Sequence, residues 1–261
     1  MAGYAIHGST NLTTGAEFFY PEWFAQLYPR LGGAKFKNIY LAGWMDEAGC
    51  ALVDGASNAQ MQFTRVGDDP VVSNVSALNN RPAFTAFDGA RRIDTGHNGG
   101  TDFTLIGLVE ITADMLDGVG STNNRLFSRV FGATDMAVGV AGIGSVYFHL
   151  DTNGSIITVP GANVTPGPKL IMATCRQVST NVFDIKLFID NLITPAAQNN
   201  SLAHTYVAGG TWQVGSIDSV TFWRGSIAGW MILDGDITQD AAAYTTIKNL
   251  LPDAKAWMTP A

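Results

Sequence analysis

One continuous stretch decides the fold of this chain: Phe222-Trp-Arg-Gly-Ser-Ile-Ala-Gly-Trp-Met-Ile-Leu-Asp-Gly-Asp-Ile-Thr-Gln-Asp-Ala-Ala-Ala-Tyr-Thr-Thr-Ile-Lys-Asn-Leu-Leu251. Its first half predicts a buried strand that runs into a turn at Asp234-Gly-Asp236. Its second half predicts the one convincing helix of the chain, over 238–251, with Thr238 as the cap and Pro252 just past the end. The predicted apolar stripe of that helix is Ala241, Tyr244, Ile247 and Leu251. A strand, a turn and a closing helix in this order indicate the end of a large antiparallel β-sandwich.

The bulk composition agrees with an all-β chain. The 261 residues include 29 glycines, and only 14% of them are charged, which is typical of a compact, loop-rich β protein. Sandwiches of this length commonly form a single domain. The formal net charge of −7 and the lack of any basic run exclude binding to a nucleic-acid backbone.

Targeting signals are also missing from the sequence. No apolar stretch approaches the roughly 18 residues of a membrane span, and residues 1–8 lack the charged and apolar regions of a signal peptide. We therefore expect a soluble protein that is made in a cytoplasm, with no membrane insertion.

The two cysteines, Cys50 and Cys175, lie far apart and match no metal or redox spacing. Such sparing cysteine use favours two buried free thiols in a reducing compartment. A disulfide between them is the alternative.

Short apolar runs separated by turn residues fill the middle of the chain, and their spacing indicates a sandwich. Asp102–Ile111 is apolar on both faces, which predicts a central strand. In 182–190 the alternation predicts that Phe183, Ile185, Leu187 and Ile189 point inward, and that Asp184, Lys186 and Asp190 point outward. The other predicted strands are 126–131, 136–141, a hairpin over 146–159 with its turn at Asn153-Gly154, and 169–175.

The first 40 residues differ from the rest, and we assign 1–40 to an N-terminal arm and 41–261 to the sandwich. Pro21 and Pro29 are expected to bound a short helix over 22–28. This arm either covers part of the sandwich or docks onto another subunit, because large apolar patches usually mark interfaces. The candidate docking residues are the aromatic side chains Phe18, Phe19, Tyr20, Trp23, Phe24 and Tyr28.

Three segments resemble the concanavalin A-like lectin/glucanase superfamily, and within it the laminin G-like domains. Asn80-Arg-Pro-Ala-Phe84 with Ala86-Phe-Asp-Gly89 resembles the entry signature of that family, 169–193 resembles its central strand pair, and 225–233 resembles its last strand. The resemblance covers roughly residues 80 to 251 and implies an antiparallel jelly-roll sandwich. Asn191 stands where the family usually has glycine, a position that asparagine tolerates because it enters left-handed backbone conformations.

The acidic, charge-poor chain with an arm before the sandwich is similar in style to the laminin G-like domains of bacteriophage virion proteins. That resemblance implies a virion structural protein, either a decoration protein, a fibre or a tail component. Its expected partners are copies of itself, other virion proteins and host-surface glycans.

The catalytic carboxylates of the superfamily are missing. Its glucanases carry E-x-D-x-x-E on one strand, where paired carboxylates divide the acid and nucleophile roles. This chain has four glutamates, at positions 17, 22, 47 and 110, and none belongs to such a triplet. No Gly-x-Ser-x-Gly elbow accompanies its histidines. We therefore predict that the protein is not an enzyme.

Candidate ligand-binding residues come from loops and tryptophans. His97 and Asn98 lie in a glycine-rich loop before a strand, which is either a ligand loop or an ordinary connection. Trp212 and Trp223 are candidate sugar platforms, with core positions as the alternative. His149 alternates with Tyr147 on a hairpin strand and is interpreted as a structural or surface residue.

A cofactor is not expected, although the superfamily binds calcium through loop oxygens. The residues that could supply those oxygens here are Asp151, Asn153 and Asp218. The sequence thus predicts a non-enzymatic virion structural protein with a lectin-like sandwich. A carbohydrate-binding module or adhesin is the alternative, and a polysaccharide-degrading enzyme with an atypical site is a third hypothesis.

Overall fold

Fifteen strands build two antiparallel sheets in the part of the chain that the structure, a computed structural model, describes. The described residues are 21–31, 35–42, 64–66, 71–85, 87, 91–97, 99–117, 123–131, 134–151, 154–207, 209–216 and 221–260. No helix within these ranges is both long and apolar enough to cross a membrane.

Sheet A has eight strands, in the order β13-β12-β11-β6-β15-β4-β3, and β1 also pairs with β15. These strands are β1 (Phe36–Leu41), β3 (Val71–Val75), β4 (Arg81–Thr85), β6 (Phe103–Ile111), β11 (Gly167–Ser179), β12 (Val182–Ile189), β13 (Ala197–Ala203) and β15 (Ile227–Asp234).

Sheet B has seven strands, in the order β10-β9-β8-β7-β14-β5-β2. They are β2 (Thr64–Val66), β5 (Arg92–Asp94), β7 (Asn124–Phe131), β8 (Thr134–Val140), β9 (Val146–Asp151), β10 (Ser155–Val159) and β14 (Trp212–Val214). The strands predicted around 102–111, 126–131, 136–141, 146–159, 169–175 and 182–190 are therefore confirmed.

The core lies between the two sheets. The Phe103 ring of β6 is 6.2 Å from the Phe148 ring of β9 and 4.9 Å from the Trp212 ring of β14, so these aromatic side chains join sheet A to sheet B. The central strands β6 and β11 are buried along both faces, as their continuous apolar runs predict.

Three α-helices lie within the described ranges. They are α1 (Glu22–Leu31), the short α2 (Ala113–Leu116) and α3 (Ala241–Met258). Helix α3 packs on β11, and α1 packs on α3. Sheet A is thus covered by sheet B on one side and by helices on the other.

The predicted boundaries of the closing helix are wrong. Asp240, not Thr238, caps α3 and accepts a hydrogen bond from the Ala243 amide at 3.1 Å. Pro252 lies inside the helix, which continues to Met258. Proline costs one backbone hydrogen bond there, but the extra turns bury Ala254 and Met258 in the core. The buried face also includes Ala243 and Leu250, whereas Ala241 is exposed.

The predicted boundary at residue 40 also needs correction, because β1 is an integral strand of sheet A. Helix α1 runs through Pro29 instead of ending before it. Trp23 and Phe24 are buried in the core of the chain itself, and the Trp23 ring lies 6.1 Å from that of Trp257 in α3. Burial against its own sandwich makes these two side chains unavailable for docking. Tyr28 belongs to α1, and the other candidate docking residues, Phe18, Phe19 and Tyr20, lie outside the described residues.

One expectation about a polar side chain changes, and one about a cysteine holds. Asp184, predicted to point into solvent, is buried, and its carboxylate lies 3.0 Å from the ammonium group of Lys186. Cys175 is a buried free thiol, and Cys50 lies outside the described residues.

Candidate binding site on the outer face of sheet B

Strand alternation gives sheet B one face in the core and one face away from it. On β9, Val146, Phe148 and Leu150 belong to the hydrophobic core, whereas Tyr147 and His149 are buried outside that core. Side chains along a strand alternate between the two faces. Tyr147 and His149 therefore share the outer face.

The neighbouring strands place a buried ion pair on the same face. Arg125 of β7 pairs with Gly139 of β8, and a bulge follows Arg125. Its guanidinium nevertheless bonds to the carboxylate of Asp135, four residues along β8 from Gly139. The Arg125 side chain must therefore run along the sheet, over the small residues Ala137 and Gly139.

Two rings flank this ion pair. Tyr147 is the register partner of Gly139, and His149 is the register partner of Ala137. The rings of Tyr147 and His149 stand edge to face, with centroids 5.1 Å apart. Together Arg125, Asp135, Tyr147 and His149 form what we call the sheet B cluster.

Hydrogen bonds inside the cluster leave several polar atoms unused. Buried atoms with no hydrogen-bond partner among the described residues are Arg125 Nε, Asp135 Oδ1, the Tyr147 hydroxyl and His149 Nε2. The Arg125 guanidinium lies near the Tyr147 hydroxyl, but no hydrogen bond of good geometry joins them. An unsatisfied buried polar atom costs about 1–3 kcal/mol. Four such atoms therefore lie together, buried and unsatisfied, on this face of sheet B.

The electrostatics keep the cluster neutral near pH 7. Burial lowers the pKa of His149, and the nearby Asp135 carboxylate only partly opposes this effect. Burial likewise raises the pKa of Tyr147. Both rings are therefore uncharged, and the charges of Arg125 and Asp135 cancel. The unused atoms comprise one donor, Arg125 Nε, one acceptor, Asp135 Oδ1, and the Tyr147 hydroxyl, which can act as either. The neutral imidazole of His149 uses its N–H on the Asp151 backbone, so its Nε2 atom is a second acceptor.

The predicted sugar platforms are wrong, because the side chains of Trp212 and Trp223 are both 0% exposed. Trp212 packs on Phe103 in the core, and its backbone amide donates to the His97 carbonyl at 3.0 Å. An indole ring inside a sandwich cannot stack on a sugar. The alternative that the sequence left open, a core position, holds for both residues.

The loop that carries His97 is held in place by Arg129. The guanidinium of Arg129 donates to the carbonyl of Gly100 at 3.2 Å, to the carbonyl of Gly209 at 3.0 Å and to the Tyr206 hydroxyl at 2.6 Å. Burial, with help from Lys37, lowers the pKa of His97 to about 4. These contacts favour an ordinary, well-anchored connection over a ligand loop. Asn98 lies outside the described residues.

The calcium expectation stays a prediction. Asp151 ends β9, while Asn153 and Asp218 lie outside the described residues. Within the described ranges, no group of three or more His, Cys, Asp or Glu side chains could hold a metal ion.

Sequence reasoning missed the sheet B cluster. The only signal in the sequence is the alternation of Tyr147 and His149 along one strand, and that pattern by itself indicates a structural or surface residue. Arg125 and Asp135 carried no local signal, because their pairing depends on the register between β7 and β8.

Comparison with known proteins finds likeness in structure only. No family model matches the sequence, and no curated protein matches it. Domain 4 of the extracellular arabinanase AbnA from Geobacillus stearothermophilus is 12% identical, with a TM-score of 0.55 over 83% of this chain and 98% of that domain.

Two other solved structures are similar. The binding domain of botulinum neurotoxin serotype D is 13% identical, with a TM-score of 0.55 over 87% of this chain and 54% of that one. A variant of the Trypanosoma rangeli sialidase is 9% identical, with a TM-score of 0.54 over 88% of this chain and 35% of that one. This chain thus corresponds to about half of the neurotoxin domain and about a third of the sialidase chain. The likenesses show that the chain has a β-sandwich fold that also occurs in these proteins.

Proposed function

We propose that this chain is a non-enzymatic, lectin-like binding domain whose sheet B cluster contacts a glycan. The observation that carries the proposal is the set of four buried polar atoms without partners, on Arg125, Asp135, Tyr147 and His149. A sugar hydroxyl both donates and accepts hydrogen bonds, so neighbouring hydroxyls match this mixture of donor and acceptor atoms.

The ligand class follows from the balance of charge. An ion pair with zero net charge and two neutral rings favours an uncharged glycan over an anionic or cationic one. The similar fold supports the idea that such a sandwich can bind a glycan, since the arabinanase domain was solved in complex with arabinotriose.

The proposal does not include hydrolysis, because the sequence lacks the E-x-D-x-x-E triplet of the superfamily's glucanases. Glu110 is half-buried, and its carboxylate accepts a hydrogen bond from the Ser226 hydroxyl at 2.8 Å. Glu22 is exposed on α1. Neither belongs to such a triplet, and the other two glutamates, Glu17 and Glu47, lie outside the described residues.

We also propose that the domain belongs to a virion structural protein made in the bacterial host cytoplasm. Support for this part comes from the sequence: the acidic, charge-poor chain with a segment before the sandwich, the sparing cysteine use, and the aromatic residues Phe18, Phe19 and Tyr20 in that segment. Its partners are then copies of itself and other virion proteins, and host-surface glycans are the ligands of the sheet B cluster.

A glycan array with the intact protein tests the binding role, and Tyr147→Phe locates it. This substitution removes only the hydroxyl, which has no partner inside the described chain. We expect roughly a tenfold loss of affinity for the bound glycan, the value of about one hydrogen bond, without loss of thermal stability.

Tyr244→Phe is the matched control, because its hydroxyl donates to the Leu192 carbonyl on the helix side of sheet A. This variant should lose stability and keep its affinity. Absence of binding to any neutral glycan, or equal affinities in the wild type and Tyr147→Phe, contradicts the proposal.

A further inference from the structure

A pocket lies where the edges of the two sheets meet. Strand β10 is an edge strand of sheet B, β13 is an edge strand of sheet A, and the two strands contact each other. Beside them opens a pocket of about 490 Å³, here called the edge pocket. Its lining residues are Asp151, Ser155, Asn181, Ala203, His204, Thr205 and Val207.

Hydrogen bonds hold the walls of the edge pocket together. The Ser155 hydroxyl, which follows the β9–β10 turn, donates to the Ala203 carbonyl of β13 at 2.9 Å. The His204 amide donates to the Asn181 carbonyl in the β11–β12 turn at 3.0 Å. The pocket thus joins three separate chain segments from both sheets.

His204 has a buried ring nitrogen with no hydrogen-bond partner among the described residues. Its side chain packs edge to face on Phe183, with ring centroids 5.6 Å apart, and the residue is only 5% exposed. Its Nε2 atom has no hydrogen-bond partner among the described residues. Burial lowers the pKa of His204, although Asp151 opposes this effect. The imidazole is neutral near pH 7 and carries one donor and one acceptor.

The other lining groups define the chemistry of a ligand. Asp151 provides the only charge among the lining residues, so an anion is disfavoured. Ser155, Asn181 and Thr205 add uncharged hydrogen-bonding side chains, and Val207 adds an apolar one. A volume of this order suits a small molecule and not a macromolecular surface.

We propose that the edge pocket is a second ligand site, separate from the sheet B cluster, that takes a neutral, hydroxyl-rich compound of monosaccharide size. Asp151 accepts hydrogen bonds from two neighbouring hydroxyls, and the Nε2 atom of His204 bonds to a third. This site does not rest on the function proposed for the sheet B cluster.

The test follows the imidazole of His204 by two-bond ¹H–¹⁵N NMR while methyl α-glucoside, glucuronate or glucosamine is added to the intact protein. Methyl α-glucoside should shift the Nε2 resonance with a millimolar Kd, and glucuronate should not. Asp151→Asn and His204→Gln should each weaken this binding at least about fivefold.

Two control variants separate the edge pocket from other sites. Asp253→Asn removes an exposed carboxylate in the groove between α1 and α3 and should bind like the wild type. Tyr147→Phe alters only the sheet B cluster and should also bind normally. The proposal is overturned by an Nε2 resonance that stays fixed in methyl α-glucoside, by a response to glucosamine alone, or by shifts that Asp151→Asn leaves unchanged.

Discussion

The guanidinium of Arg125 reaches the carboxylate of Asp135 along the outer face of sheet B, although the register partner of Arg125 is Gly139, four residues further along β8. Both side chains of this ion pair are about nine-tenths buried. The pair therefore depends on small residues between its ends, and the stability of this face depends on keeping both charges.

The first prediction concerns this ion pair. Removing one partner leaves an uncompensated buried charge, so Arg125→Met or Asp135→Leu should each cost about 3–5 kcal/mol in the free energy of unfolding. The double variant should cost clearly less than the sum, because neither charge is then left alone. Denaturant titration of the four proteins measures the coupling. Simple additivity shows that the two side chains do not stabilise each other.

The second prediction concerns pH. Burial lowers the pKa of His97 from 6.5 to about 4 and also lowers the pKa values of His149 and His204. A histidine in the unfolded chain binds its proton at a higher pH than in the folded chain. Acidification from pH 6.5 towards 4 therefore favours the unfolded state, and stability should fall through this window.

Variants assign this pH effect to its residues. His97→Gln and His149→Gln cannot take up the proton, so the dependence of Tm on pH should be flatter in each than in the wild type. Differential scanning calorimetry between pH 7 and 4 provides the comparison. Profiles parallel to that of the wild type indicate that other groups, such as carboxylates, cause the acid sensitivity.

The third prediction compares two adjacent glycines. A Cβ atom at Gly99 lies 2.4 Å from Arg129 Nη1 and 2.5 Å from Trp212 Nε1, whereas one at Gly100 has no neighbour closer than 3.9 Å. Arg129 is held by three hydrogen bonds, and Trp212 is fully buried, so neither can move easily. Gly99→Ala should destabilise the protein by about 1–3 kcal/mol. Gly100→Ala should change its stability little, and equal effects on Tm contradict the packing described for this loop.

The fourth prediction concerns the N-terminal segment. Deleting residues 1–31 removes α1 and exposes the apolar surface of α3 around Leu250 and Trp257, so the free energy of unfolding should drop by several kcal/mol. Thermal melts of the truncated and full-length chains measure this loss. An unchanged Tm shows that α1 contributes nothing to the sandwich.

The fifth prediction separates assembly from folding. Replacing Phe18, Phe19 and Tyr20 together with serine tests the docking function predicted from the sequence. We expect the variant to keep its Tm and to lose its homo-oligomer in sedimentation analysis. A wild type that sediments as a monomer contradicts homo-oligomerisation through the arm.

The sequence by itself determined the class of fold. Strand periodicity and turn residues are local signals, so the central strand at 103–111 and the alternation of Phe183, Ile185 and Leu187 could be predicted and are confirmed. The end of the closing helix could not be predicted from local signals. The helix continues past Pro252 because Ala254 and Met258 are buried in the core, and that burial depends on residues distant in the sequence.

Only the tertiary structure decided the site. Arg125, Asp135 and His149 are joined by the register of three strands, and a strand pattern does not encode its own register with a neighbour. The tryptophans show the same limit. Tryptophan is a residue type that often stacks on sugars, which made Trp212 and Trp223 candidate platforms. Which side of a sheet faces the core depends on the other sheet, however, and that packing buries both rings.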